Sequence, residues 1–256
     1  MKNVTINLIG LGGIGSFLLA PLSKIMLKGR LGDMRVETLI LTDGDTYQSN
    51  NRERQFYPSI CEGMNKAEAQ RMVLETMYPV RAVDVVSRPS FVTTPDEALT
   101  AFRYARSGTH IVIAAVDNHA CRALLASALR TLKPHASGDY VLINGANEMV
   151  DGNVNVQGSW NGFPIGADLL ERHPEIAHDQ SGSREGLSCL DLYNLEGGEQ
   201  TMEANMWAAM LIYSVLLRLA ENDWTRDMNE IYFDTNPPRV RTDIRGKEEE
   251  DEQSLD

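Results

Sequence analysis

A short polar segment carries side chains that are suited to binding phosphate groups. Residues 43–55, DGDTYQSNNRERQ, include Asn51, Arg54 and Gln55, and Lys66 follows eleven residues later. Arginine and lysine neutralise phosphate charge, and amide side chains add neutral hydrogen bonds. A charged surface loop would have a similar composition. If the segment folds beside other phosphate-binding groups, it indicates a site for a triphosphate.

A glycine-rich turn lies near the N-terminus, between a predicted strand and a predicted helix. Four glycines there fit the pattern G-x-G-x-x-G: Gly10, Gly12, Gly13 and Gly15. Such a turn lets backbone N–H groups approach phosphates at a helix N-terminus. Asp43, at the end of the second predicted strand, is placed to accept hydrogen bonds from ribose hydroxyls. The motif alone fits NAD, FAD or ATP, and also a glycine turn that only joins two elements.

A carboxylate and an amide follow a strongly apolar run. Residues 110–116 are nearly all apolar, as in a central strand that is buried on both faces, and Asp117 and Asn118 come next. Ligands of open α/β sheets bind at the carboxyl ends of such strands, and Mg²⁺ takes one or two carboxylates together with phosphates. Asp117 is therefore the candidate metal ligand. The same pair would equally serve as the cap of the next helix.

The elements that must position these side chains alternate between strands and helices. Apolar runs predict strands at 4–9, 36–42, 82–86, 110–116 and 140–144, and helical spacing predicts helices at 16–28, 65–77 and 119–131 and one that begins at Thr94. This alternation predicts an α/β fold with a doubly wound, mainly parallel, Rossmann-like sheet. Alternating polar and apolar residues at 153–156, and a short run at 230–234, predict a short antiparallel extension in the C-terminal half.

We interpret residues 1–246 as a single nucleotide-binding domain. Residues 158–198 are rich in Gly, Ser, Pro and Asn, which predicts a long crossover loop, and His173 is expected to be a solvated residue of that loop. Residues 202–220 predict an apolar helix that covers the sheet, although its methionines would also suit a dimer face. The acidic residues 247–256 predict a disordered tail.

Composition argues against several classes of protein. The formal net charge is −12 over 256 residues, which disfavours nucleic acid and anionic membranes as partners. The sequence contains no run of 18 apolar residues, so we expect no membrane span. The three cysteines form no CxxC pair, which disfavours a disulfide framework and a structural zinc site and favours a cytoplasmic location.

In this order the motifs resemble those of the ThiF/MoeB and ubiquitin-activating-enzyme superfamily, including its plasmid- and phage-type ThiF-like members. The resemblance is good over residues 4–156. The family's motif residues match the glycine loop at Gly10, Gly12, Gly13 and Gly15, the ribose-binding acid at Asp43, the D-x-x-x-x-S-N-x-x-R-Q stretch at Asp45, Asn51, Arg54 and Gln55, the phosphate-contacting lysine at Lys66, and the metal-associated pair at Asp117 and Asn118.

The resemblance implies an adenylyltransferase that uses ATP and Mg²⁺. A carboxylate, usually the C-terminal glycine of a ubiquitin-like or sulfur-carrier protein, would attack the α-phosphate and release pyrophosphate. Lys66 and Arg54 would hold phosphates, Asn51 would orient the phosphate chain, and Asp117 would hold Mg²⁺. Cys189 lies where relatives form a thioester with the activated substrate, although a packing cysteine would also fit. The resemblance also leads us to expect a homodimer.

Two alternatives remain open. An NAD(P)-dependent oxidoreductase would account for the glycine loop and Asp43 but would leave the phosphate-binding side chains without a role. An inactive scaffold half of a heterodimer would retain the fold without catalysis. Some relatives also supply an arginine from a helix ahead of the first strand. Because the first predicted strand begins at about residue 4, we expect no such helix here: either Arg52 takes this role, or the arginine comes from elsewhere, or the protein is less active than its relatives.

Overall fold

Helices cover both faces of a large mixed sheet in the computed structural model, which describes residues 1–104, 108–132, 138–178, 200–223 and 228–244. The strands are β1 (Lys2–Ile9), β2 (Arg30–Leu31), β3 (Met34–Thr42), β4 (Asp84–Arg88), β5 (Thr109–Ala114), β6 (Tyr140–Asn147), β7 (Asp151–Trp160), β8 (Phe163–Gly166), β9 (Met228–Thr235) and β10 (Pro238–Ile244). The helices are α1 (Gly13–Leu22), α2 (Ile25–Lys28), α3 (Lys66–Met77), α4 (Pro95–Ala101), α5 (His119–Thr131), α6 (Leu169–Arg172), α7 (Glu175–His178) and α8 (Met202–Ala220), with 3₁₀ turns at Ser49–Glu53 and Ser59–Cys61.

The sheet has a parallel part and an antiparallel part, as the sequence predicts. Its order is β10-β9-β7-β6-β5-β1-β3-β2, with β4 also paired to β3 and β8 to β7. The pairs among β4, β3, β1, β5 and β6 are parallel, whereas β7, β8, β9 and β10 pair in antiparallel fashion. Successive connections run to opposite sides of β1, so the carboxyl ends of β1, β3 and β5 flank the point at which ligands bind in open α/β sheets.

Two apolar clusters, one on each face of the sheet, explain why the central strands are mostly apolar. In β5, Ile111 and Ile113 belong to the cluster under α1 and α8, and Val112 and Ala114 belong to the cluster under α4 and α5. A strand that is buried on both faces has few solvent-facing positions, because successive side chains point to opposite faces and both faces are covered. The six residues of β5 are all buried, which fixes the strand that carries Asp117.

The prediction of an irregular loop over residues 158–198 was wrong for its first half. Strand β7 continues to Trp160, β8 pairs with it, and α6 and α7 follow. The turn between the strands is Asn161-Gly162, both with positive φ (53° and 77°). Asn-Gly is the preferred sequence for a two-residue hairpin turn, and it is the local signal for this hairpin. The rest of the expected loop and the acidic tail 247–256 lie outside the described residues.

Other boundaries differ for local reasons. The helix predicted over 16–28 is two helices, and α2 ends at Gly29, whose φ is 61°. Strand β10 was not predicted, because most of its side chains are exposed and show no apolar alternation. Within the described ranges, no helix is both long enough and apolar enough to cross a membrane.

Candidate active site

The glycine loop follows β1 and packs too closely for side chains at several positions. Gly10 has a φ of 88°, and a Cβ there would lie 2.5 Å from the carbonyl oxygen of Ala115. A Cβ on Gly15 would lie 1.9 Å from the Gly10 oxygen. Gly12 is more open, since its Cβ would meet only the Gln55 amide, at 3.7 Å. The first and last glycines therefore shape the turn, and Gly12 leaves room beside it.

Asp43 joins the glycine loop to the loop after β3. Its Oδ2 accepts a hydrogen bond from the Leu11 N–H at 2.6 Å, and its Oδ1 accepts one from the Asp45 N–H at 2.8 Å. Burial raises the pKa of Asp43, while the charge of Lys66 acts in the opposite direction. Asp43 thus holds two loops together at the end of β3, whatever hydroxyl groups it also binds.

Lys66 occupies the first turn of α3, where a well-capped helix start fixes its position. The Asn65 side chain accepts hydrogen bonds from the N–H groups of Ala67 and Glu68, and it donates to backbone oxygens including that of Asp45. Lys66 is only 3% exposed, and its Nζ lies 3.2 Å from Oδ2 of Asp45. A lysine this deeply buried is unusual without a counter-charge. Asp45 supplies that charge.

The 3₁₀ turn Ser49–Glu53 presents Arg54 and Gln55 to the same space. Asn51 is 2% exposed, and its Oδ1 accepts a hydrogen bond from the Gln48 N–H at 3.0 Å. Asn51 therefore stabilises the turn and does not line the cavity described below. The guanidinium of Arg54 makes no hydrogen bond or ion pair within the described ranges, and Gln55 Oε1 is buried without a hydrogen-bond partner there.

Asp117 and Asn118 have different surroundings at the end of β5. The Asn118 side chain caps α5 by accepting a hydrogen bond from the Cys121 N–H at 2.8 Å, so the capping alternative holds for this residue. Asp117 is exposed and borders the cavity. Arg122 is buried and donates to the Val116 carbonyl at 2.7 Å. It therefore stabilises the end of the strand that carries Asp117.

One cavity of about 480 Å³ brings these groups together at the carboxyl ends of β1, β3 and β5. Most predicted site residues line it: Gly10, Gly12, Gly13, Asp43, Asp45, Arg54, Gln55, Lys66, Asp117 and Asn118. Gly15 and Asn51 do not, and Cys189 lies outside the described residues. The polar side chains that line it include Arg54, Lys66 and the aspartates. The apolar ones include Ile9, Val92, Val116 and Leu124.

Several lining residues were not predicted from the sequence. Phe91 and Val92 come from the segment after β4, and the ring of Phe91 packs on Gly44, whose Cβ would lie 2.4 Å away. Asn147 at the end of β6 and Gln200 just before α8 also line the cavity. No spacing rule links these positions to the glycine loop. A hydrogen bond to the Asn147 carbonyl holds Gln200 beside the site.

Two predictions outside the cavity need correction. His173 is not a solvated loop residue, because its Nε2 lies 2.8 Å from Oε1 of buried Glu230 and its Nδ1 lies 3.1 Å from Glu175. The hydrogen bond with Glu230 raises the pKa of His173. Arg52 does not point into the cavity. Its guanidinium pairs with Glu62 at 2.6 Å on the surface.

Comparison with solved structures places this arrangement in a known fold. PaaA superimposes with a TM-score of 0.62 at 16% identity, over 94% of this chain and 64% of that one. The E. coli protein MccB with ATP gives 0.59 at 14% identity, over 96% and 64%. MccB with AMPCPP and MccA gives 0.60 at 14%, over 97% and 65%. This chain thus spans less than two thirds of the length of these relatives.

Sequence comparison gives a more specific assignment. No curated protein sequence matches the chain significantly. The family model described as "ThiF family" matches residues 1–174, which include the whole glycine loop, the polar segment and the strand that carries Asp117. The chain belongs to the ThiF family.

Proposed function

We propose that this protein binds ATP in the 480 Å³ cavity and adenylates the C-terminal carboxylate of a peptide or protein. The observation that carries the proposal is the convergence of Arg54, Lys66 and Asp117 on one space beside the glycine loop. A hydride-transfer enzyme would need no such cluster. The MccB structures with ATP, and with AMPCPP and MccA, support the same substrate classes for this fold. The strands from Lys2 to Ile244 share one sheet, which supports a single domain over 1–246.

The charges of the cavity suit ATP only together with a divalent cation. Among the described lining residues, Arg54 and Lys66 face three carboxylates, those of Asp43, Asp45 and Asp117. The triphosphate of ATP carries several negative charges, so these two cations do not balance it. Mg²⁺ favours one or two carboxylates plus phosphate oxygens. We propose that Asp117 holds it, with Asp45 available in the same cavity as a second carboxylate.

The reaction needs positioning and charge neutralisation more than acid–base chemistry. The substrate carboxylate is ionised at neutral pH, and the described lining residues include no histidine. A carboxylate oxygen would form a bond to the α-phosphorus, and the bond from that phosphorus to the β-phosphate bridging oxygen would break. Arg54 and Lys66 would stabilise the charge that moves to the departing pyrophosphate. Backbone N–H groups of the glycine loop would orient the phosphates.

The identity of the carboxylate and the later step are finer proposals. A ubiquitin-like or sulfur-carrier protein with a C-terminal glycine is the proposed substrate. The Cys189 thiolate would then attack the adenylate carbonyl, forming a C–S bond and releasing AMP. Cys61 is buried, and burial raises the pKa of its thiol, so it is a poor nucleophile. Mass spectrometry of the parent, Cys189→Ala and the control Cys61→Ala should show a thiol-labile adduct in the parent and the control only.

We further propose a homodimer formed through α8. Its inward face is buried, whereas Met202, Met206 and Met210 lie four residues apart on the outward face and are 44–51% exposed. Phe17 and Phe56 border Met202 around a neighbouring hollow. Exposed apolar patches of this kind mark interfaces. Sedimentation of the parent and of Met206→Glu should show a dimer that the substitution converts to a monomer.

ATP–pyrophosphate exchange tests the adenylation directly. The protein would be incubated with Mg²⁺, ATP, labelled pyrophosphate and a panel of carriers or peptides with free C-termini. We expect carboxylate-dependent return of label into ATP, and its loss in Arg54→Ala. If ATP binds but no member of the panel supports exchange, the scaffold alternative is favoured. If NAD binds more tightly than ATP in calorimetry, the proposal is wrong.

A further inference from the structure

Asn205 in α8 lies behind the cavity and contacts three separate segments of its wall. The residue is 0% exposed. Its Nδ2 donates to the Arg54 carbonyl at 3.3 Å, and its Oδ1 accepts from Asn147 Nδ2 at 3.2 Å. A Cβ on Gly13 would lie 2.2 Å from Asn205 Oδ1, so the glycine loop packs directly on this amide.

The start of α8 is itself anchored close to the site. The Thr201 side chain caps the helix by accepting a hydrogen bond from the Ala204 N–H, and it donates to the Met149 carbonyl at 2.7 Å. Gln200 donates to the Asn147 carbonyl at 3.4 Å. These contacts hold the first turns of α8 against the loop between β6 and β7. The anchored start of α8 therefore fixes the position of Asn205 independently of the contacts that Asn205 makes with the cavity wall.

The segment that carries Arg54 depends on such contacts, because it has little regular structure. The segment directly follows a single 3₁₀ turn. Its next residues extend toward α1, where the Phe56 N–H donates to Ser16 Oγ at 2.9 Å. The Asn205 amide and the Ser16 hydroxyl therefore tether this segment on either side of Gln55. Loss of one tether would let the Arg54 backbone shift relative to the glycine loop.

We propose that Asn205 is a positioning residue: it holds the Arg54 backbone so that the guanidinium meets the phosphates of the bound nucleotide. This inference rests on the proposed ATP site. Asn205 does not line the cavity, so it would act through Arg54 and not by touching the nucleotide. An unmet buried amide or carbonyl is costly, which is why both ends of the Asn205 side chain are paired.

A double-mutant cycle between Asn205→Ala and Arg54→Ala tests the proposal. ATP and adenosine would be titrated calorimetrically into the parent, both single variants and the double variant. Loss of one hydrogen bond predicts about a 3- to 10-fold weaker binding of ATP in Asn205→Ala. Adenosine, which lacks phosphates, should bind with less than about a twofold change. In the Arg54→Ala background, Asn205→Ala should weaken ATP less than about twofold further, because coupled residues are not additive.

Asn155→Ala is the matched control, because Asn155 is also 0% exposed and donates to the Ala167 carbonyl at 3.2 Å. It should lower the melting temperature without changing ATP affinity. If Asn205→Ala does not fold, Asn205→Ser is used instead. Serine keeps a polar side chain at this position, but the side chain is too short to reach the Arg54 carbonyl. The proposal would be overturned if Asn205→Ala lowered ATP affinity equally with and without Arg54. It would also be overturned if Asn205→Ala lowered the affinities for ATP and adenosine equally. ATP binding without pyrophosphate exchange would reject adenylation alone, and absence of ATP binding would reject both proposals.

Discussion

Replacing Lys66 with methionine should separate nucleotide affinity from protein stability. The lysine is 3% exposed, so its ammonium group is largely shielded from water beside Asp45. A hydrogen bond between a charged donor and a phosphate contributes about 1.5–3 kcal/mol, so ATP should bind about 10- to 150-fold more weakly to Lys66→Met. Methionine has a similar length and preserves the packing of the aliphatic chain.

The stability change should be small for a specific reason. Without the lysine, Asp45 loses this ion pair, but the Asp45 side chain is 27% exposed and water reaches its carboxylate. At the same time, the cost of burying an ammonium group disappears. We expect a net change below about 1 kcal/mol, which is roughly 2–4 °C in melting temperature for a chain of this size.

Calorimetric titration of ATP–Mg²⁺ and a thermal melt of the same preparations give both quantities. Lys24→Met is the control, because Lys24 is exposed and does not line the cavity. It should leave ATP affinity and melting temperature unchanged. The reasoning fails if Lys66→Met binds ATP within about threefold of the parent. It also fails if the affinity loss is accompanied by a fall of more than about 10 °C.

Three further outcomes follow from the same geometry. Gly15→Ala places a Cβ 1.9 Å from the Gly10 oxygen, so denaturant unfolding should show a loss of about 1–3 kcal/mol or more; parent-like stability would contradict the packing. Asp117→Asn should raise the Mg²⁺ concentration needed for exchange, with a smaller effect on metal-free ATP binding; an unchanged Mg²⁺ dependence would exclude Asp117 as the ligand. Because its hydrogen bond with Glu230 raises the pKa of His173, the pair stabilises the fold fully below the ordinary histidine value of about 6.5. That contribution is lost as pH rises through the raised pKa, so the parent should lose more stability than His173→Gln as pH rises from about 6.5 through that pKa, and parallel curves would contradict this.

Local sequence patterns were sufficient to predict the parallel half of the fold. Residues 111–114 of β5 are all apolar because both faces of the strand are buried, and the Asn65 cap at the start of α3 is a local feature that places Lys66 in the first turn. Strand ends in a parallel sheet meet at one edge, so the glycine loop, Asp43 and Asp117 could be placed together before any coordinates were known.

Long-range contacts explain what the sequence did not predict. Asn51 has the position expected of a phosphate-binding amide, but its side chain is used within its own 3₁₀ turn. His173 lies in a polar stretch that looks solvated, yet it pairs with Glu230, which is 57 residues away in the sequence. Gln200 lines the cavity, and Asn205 contacts its wall, because the start of α8 packs beside the glycine loop and the end of β6. The spacing of residues along the chain does not predict such long-range contacts.

A crystal structure with AMPCPP and Mg²⁺ is the most direct test of the central claim. We expect one nucleotide in the cavity, with its phosphates at the glycine loop, Lys66 and Arg54 within hydrogen-bond distance of phosphate oxygens, and the metal on Asp117. The base should lie toward Val92 and Leu124. Nucleotide bound elsewhere, or phosphates that neither Lys66 nor Arg54 contacts, would contradict it.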